Sequence, residues 1–94
     1  MSKIVVSNKF KRAFRKFTRR NTQLQAKIEK VITKLSEDTF DPALATHKLE
    51  GKLADLLGCS CGYDCRIVFA IKTDPKNDKK LIILLDIGIH DEVY

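Results

Sequence analysis

With 94 residues, 44% of them hydrophobic and 32% charged, the chain has the size and balance of one globular domain, taken as residues 1–94. Its net charge is +6. No apolar run approaches the roughly 20 residues that span a bilayer, and Met1–Ser7 is too short for the apolar core of an export signal. These features argue against a membrane or secreted protein and for the cytoplasm. Three cysteines, an odd number without an export signal, argue for reduced thiols rather than a disulfide-stapled scaffold.

Lys3–Ser7 reads as a short strand, with Ile4, Val5 and Val6 β-branched. Ser7 or Asn8 can cap the helix that follows, because a side-chain oxygen there accepts an orphan first-turn N–H. Phe10, Phe14 and Phe17 recur at i, i+4 and i+7 and form one apolar stripe. Three phenylalanines with no polar tip suit a core better than a base-stacking platform. Lys9, Lys11, Arg12, Arg15, Lys16, Arg19 and Arg20 occupy the remaining faces. Residues 1–28 hold nine basic residues and no acid; residues 29–94 set the other nine against all twelve acids, a net of −3. The excess positive charge therefore belongs to the first third of the chain. It suits a polyanionic partner, nucleic acid first or else an acidic protein, while a merely solvated helix face is the alternative.

Asn21-Thr22 breaks this helix and caps a second, whose buried face is Leu24, Ile28, Val31, Ile32 and Leu35, ending near Ser36. Asp41-Pro42 blocks further continuation. Residues 38–52 form a connector containing the loop motif His47–Gly51. Leu53–Cys61 is strand-like, Gly62–Asp64 a turn, and Cys65–Ile71 a strong strand. Asp74–Lys80 is a polar turn, and Leu81–Ile87 the most apolar run, suited to a central or buried strand. The order βααβββ implies an α+β fold with two N-terminal helices packed on a small antiparallel sheet.

Cys59, Cys61 and Cys65 lack the spacing of a structural zinc knuckle and have no second Cys/His pair, so no metal site is assigned. Small apolar residues on a half-buried hairpin describe them better. His47 and His90 are the chain's two histidines; with Asp64, Arg66 and Tyr94 they are polar residues at strand ends and loops of an aliphatic sheet. A histidine can act as general acid or base near neutral pH, and an arginine can offset charge building on a phosphorus centre. That set beside a basic flank suits RNA cleavage without a metal, by attack of a 2′-hydroxyl on its neighbouring phosphate. No phosphate-cradling Gly-rich loop, Gly-x-Ser-x-Gly elbow or paired-carboxylate metal motif is present.

Three segments, His47–Leu53, Gly62–Phe69 and Asp86–Tyr94, follow the two-helix start in an order and spacing that resemble the RelE/ParE toxin superfamily, with the YafQ-type messenger-RNA interferases the nearest branch. The similarity covers essentially the whole chain. It implies the toxin of a type II toxin–antitoxin pair: a metal-independent endoribonuclease, without cofactor, that cuts mRNA on the ribosome and inhibits translation. Its implied partners are a cognate antitoxin, mRNA and the ribosome, with no membrane. The resemblance makes His47 and His90 proton-transfer candidates, Arg66 a phosphate stabiliser, Asp64 an orienter or base, and Tyr94 a stacker or proton partner. Lys11, Arg12, Arg15, Lys16, Arg19, Arg20 and Lys48 are the implied RNA- or ribosome-binding set. The chain departs from the pattern at Leu57 and Cys59, where RelE-like members carry lysines. Ser60 stands where the YafQ type has a histidine, and Asp86 where it has an arginine. A gyrase-binding toxin of the ParE kind, and a toxin-fold protein that only binds its antitoxin and co-represses transcription, are the other readings.

Overall fold

Three β-branched residues make β1 (Lys3–Val6), which passes through Ser7 directly into α1 (Asn8–Phe17). In this computed structural model, which describes residues 2–51, 55–62 and 64–89, the cap is Ser7: its Oγ accepts the Phe10 N–H at 3.1 Å. Phe10 is buried and lies parallel to Phe14, with ring centroids 6.0 Å apart, so the aromatic stripe is core. The helix stops where Thr18 turns its hydroxyl back to Phe14 O at 2.8 Å and Arg20 takes a left-handed φ of 58°. Asn21 then caps α2 (Thr22–Glu37) by accepting the Leu24 N–H at 3.0 Å. Ile28 and Leu35 are its fully buried residues, with Leu24, Val31 and Ile32 packed around them.

The connector is more structured than the sequence suggests. Asp41 caps a 3-10 turn (Pro42–Leu44) through the Ala43 N–H, and its other oxygen meets Lys34 Nζ at 3.6 Å. A two-residue strand, β2 (His47–Lys48), follows, so His47 lies on a strand rather than in a loop. The strand expected over residues 53–61 is β3 (Leu57–Gly62); residues 53 and 54 fall outside the described residues. β4 (Cys65–Thr73) and β5 (Lys80–Gly88) complete the sheet.

The sheet order is β1-β5-β4-β3-β2. The α+β class and the βααβββ order hold, but the sheet is mixed: β1 runs parallel to β5, Ile4 beside Ile82, and the other three pairings are antiparallel. β2, the first strand after the helices, runs opposite to β1, and the three antiparallel reversals through β3 and β4 bring β5 back along the direction of β1. β5 is flanked on both sides, as its apolar run suggests. Ile67, Phe69, Ile82 and Leu84 are buried with Phe10, Ile28 and Leu35 in one core. Each such side chain contributes about 1.5–3 kcal/mol on removal from water.

The cysteines differ from expectation. Cys61 and Cys65 form a disulfide with Cα atoms 5.0 Å apart, and Cys59 alone remains a free thiol. Alternation accounts for the pair: Cys59 and Cys61 share the core-facing side of β3, and the hairpin brings Cys65 back against Cys61. Burial pushes the Cys59 thiol up to about 12, and the nearby positive charge of Arg66 pulls it partly back.

Candidate active site

The pleat divides the sheet residues between two faces. Cys65, Ile67 and Phe69 of β4 are buried in the core shared with the helices, so Arg66, Val68 and Ala70 belong to the opposite face. Pairing extends that face in two rows. His47 is in register with Gly58, Gly58 with Val68, and Val68 with Asp86. The next row is Ser60, Arg66 and Gly88. His47 and Arg66 therefore stand on one face with β3 between them, about 10 Å apart laterally at two interstrand spacings. Gly58, Val68, Ala70 and Gly88 on this face are buried, so exposed His47 and half-buried Arg66 and Ser60 are its more accessible members.

His47 is exposed, and its Nδ1 lies 3.0 Å from Ala45 O. A carbonyl only accepts, so Nδ1 is the donor in that contact. Arg66 is half-buried. Its Nη1 donates to Cys65 O at 2.9 Å, Gly62 O at 3.4 Å and Ser60 Oγ at 3.5 Å, which turns the guanidinium toward the hairpin end. Asp64 sits exposed at that end with a left-handed φ of 55°. His90 and Tyr94 lie outside the described residues. The strand thus brings His47 onto the face of Arg66, and the hairpin puts Asp64 one residue before the strand that carries Arg66.

Two participants were not chosen from the sequence. Ser60 Oγ receives Arg66 Nη1 and donates to Gly62 O at 3.2 Å, a role that only the strand register reveals. Asp86 engages Lys9 Nζ at 3.4 Å, so the acid standing where the resemblance led to an arginine is matched by a cation from α1. That pair is exposed on the lysine side and contributes little stability.

The six cations Lys11, Arg12, Arg15, Lys16, Arg19 and Arg20 are all exposed, as is Lys48 on β2. Arg12, Arg15 and Lys16 of α1, with Arg19 in the turn after it, line a shallow cleft of about 340 Å³. None of them pairs with a described acid, so their positive potential is not cancelled locally. Among the described residues no group of three or more His, Cys, Asp or Glu could hold a metal ion, and no helix is long and apolar enough to cross a membrane.

Two helices on one face of a five-stranded mixed sheet are shared with small bacterial toxins of known structure. A metal-bound toxin from Helicobacter pylori is 27% identical, with both chains covered in full and a TM-score of 0.75. The YoeB/ParE toxin from Agrobacterium tumefaciens is 15% identical over 94% of this chain and 98% of its own, with a TM-score of 0.76. The Escherichia coli DinJ-YafQ complex contains a chain 17% identical over 100% of this one and 99% of its own, with a TM-score of 0.76. A comparison with curated protein sequences finds no match. Residues 2–94 match the family described as bacterial toxin of type II toxin-antitoxin system, YafQ, and the chain belongs to that family.

Proposed function

We propose that this toxin is an endoribonuclease that cleaves mRNA, on the ribosome, by internal attack of a 2′-hydroxyl. The observation that carries the reading is that one sheet face carries both His47 and Arg66, while α1 and the turn after it present four cations without a described acidic partner. A phosphodiester seated between His47 and Arg66 has an imidazole on one side and a guanidinium on the other. One histidine removes the 2′-hydroxyl proton, the 2′-oxygen bonds to phosphorus, and the 5′-oxygen leaves with a proton from the second acid. The products are a 2′,3′-cyclic phosphate and a 5′-hydroxyl end. His47 and His90 are assigned these proton transfers, Arg66 the charge on the phosphoryl oxygens, Asp64 the orientation of a partner, and Tyr94 stacking or proton donation. Lys11, Arg12, Arg15, Lys16, Arg19, Arg20 and Lys48 draw in the polyanion, and this chemistry needs no metal.

The same cationic helix suits a cognate antitoxin. The DinJ-YafQ complexes are assemblies of a related toxin with its antitoxin, and an acidic segment that orders on binding complements residues 1–28 here. The Lys9–Asp86 pair favours a second reading, a toxin-fold protein that only binds its antitoxin, because it places an acid where cationic help is expected.

Induced expression in a bacterial host tests both, with wild type beside His47→Ala, Arg66→Ala and His90→Ala and mapping of mRNA 5′ ends. Growth arrest with new ends inside translated codons, lost in the variants, is expected. Arrest without cuts moves the assignment to a bound target such as gyrase. No arrest moves it to the antitoxin-binding reading.

A further inference from the structure

The tip of the β3–β4 hairpin carries chemistry that the RNA reaction does not use. Ser60 pairs with Arg66 and Gly62 with Cys65, so Cys61 is the extra residue of a β-bulge and has no ladder partner. Its side chain is tied instead to Cys65. The Cα separation of 5.0 Å is one at which a disulfide forms and opens with little backbone movement. The small loop it closes holds Gly62 at φ 136° and Asp64 at φ 55°. The carbonyls of Gly62 and Cys65 are the ones that receive Arg66 Nη1. Arg66 is therefore oriented by the loop that the two sulfurs close.

The outer side of this loop faces a cleft of about 380 Å³ between α2, the 3-10 turn and β3, with Cys61 and Gly62 in its wall and Lys27 and Lys30 on its rim. Lys27 reaches over the loop: a Cβ added to Gly62 would lie 3.0 Å from its Nζ. Neither lysine makes an ion pair with a described residue.

We propose that Cys61–Cys65 is a reversible thiol–disulfide site that controls how firmly Arg66 is held, opened by a small anionic thiol entering the cleft between α2 and β3. The lysines attract the carboxylates of such a thiol and favour its thiolate. The thiolate attacks Cys61 Sγ, the S–S bond breaks, and Cys65 leaves as a thiolate that takes a proton. A second molecule of the thiol then attacks the mixed disulfide, releasing Cys61 and a low-molecular-weight disulfide; two electrons pass from the two thiols to the protein. Closure is the reverse, with that disulfide as oxidant. Cys61 is only 1% exposed, so attack waits on separation of the hairpin tip from α2 and exchange is slow. Cys59 stays protonated in the core and does not act as a resolving thiolate. With the loop open, Arg66 loses the fixed carbonyls that orient it, and the phosphate site slackens. This last consequence alone rests on the proposed RNA cleavage.

The test equilibrates the purified chain in glutathione buffers of graded redox ratio and counts thiols by alkylation under denaturing conditions and intact mass. One thiol is expected at the oxidised end and three at the reduced end. Amide hydrogen exchange over residues 60–66 should speed roughly tenfold on reduction, and a Cys61→Ser/Cys65→Ser variant should match the reduced form in every buffer. A thiol count that does not change across the series, or hairpin exchange equal in both forms, overturns the switch. RNA cleavage should fall roughly tenfold on reduction and return on reoxidation. Equal cleavage by both forms overturns the control of Arg66, whereas absent cleavage with changed hairpin exchange supports the switch and counts against the nuclease reading. Lys27→Glu/Lys30→Glu should slow reduction by glutathione roughly tenfold while leaving reduction by neutral 2-mercaptoethanol unchanged. Equal effects on the two thiols overturn the cleft as the route.

Discussion

Replacing Arg12, Arg15 and Arg19 together by alanine tests whether α1 is an RNA-binding face or only a solvated one. All three are exposed and line one cleft with Lys16, and none pairs with a described acid, so their removal takes away charge without breaking an ion pair of the described fold. Alanine is the best helix former at positions 12 and 15, and position 19 lies in the turn after α1, so the helix is retained. If each of the four cations neutralises one phosphate of single-stranded RNA, together they contribute about −2.8 to the slope of log affinity against log salt. Raising salt fourfold, from about 50 to about 200 mM, then weakens binding about 50-fold through this patch. The triple variant keeps only Lys16 there, for a slope contribution of about −0.7 and about a threefold loss over the same range. Lys11, Arg20 and Lys48 act equally in both proteins, so the difference of about 2 in slope is the diagnostic quantity. Fluorescence anisotropy of a labelled single-stranded RNA measures it, on the His90→Ala background proposed above to be inactive. Equal slopes for the two proteins would refute the assignment of α1 as the polyanion face.

Three further outcomes follow from the packing. Phe10→Ala removes a buried ring stacked on Phe14 and should cost about 3–5 kcal/mol in urea denaturation; a loss below 1 kcal/mol would mean that the stripe is not core. Gly62→Ala places a Cβ at φ 136° and against Lys27 Nζ, and should destabilise by more than about 1 kcal/mol, read as a lowered urea midpoint. Burial raises the Cys59 thiol from 9.0 to about 12, so the folded chain holds that proton where the unfolded chain has lost it. The resulting stability is fully present below pH 9 and is lost as pH rises from 9 toward 12. Cys59→Ala should flatten this alkaline limb in denaturation at a series of pH values, and an unchanged limb would assign it to other groups.

What local chemistry dictates was legible in the sequence. Phe10, Phe14 and Phe17 at helical spacing, the capping side chains of Ser7 and Asn21, and the apolar run of β5 each specify an element through contacts within a few residues. The charge asymmetry of residues 1–28 was equally plain, because exposed cations keep their charge wherever the chain goes. Only the tertiary structure decided the features that join distant residues. The parallel pairing of β1 with β5 brings Lys3 beside Leu81, across most of the chain. His47 reached the face of Arg66 because a two-residue strand, too short to show a period, pairs with β3. The disulfide depends on the hairpin register, which carries Cys65 of β4 back against Cys61 of β3. Composition argued for free thiols there, but a sulfur pair is settled by where two Cβ atoms come to rest. Local propensity acts along the chain, whereas register, bulges and side-chain meetings arise from the cooperative closing of the sheet around its core.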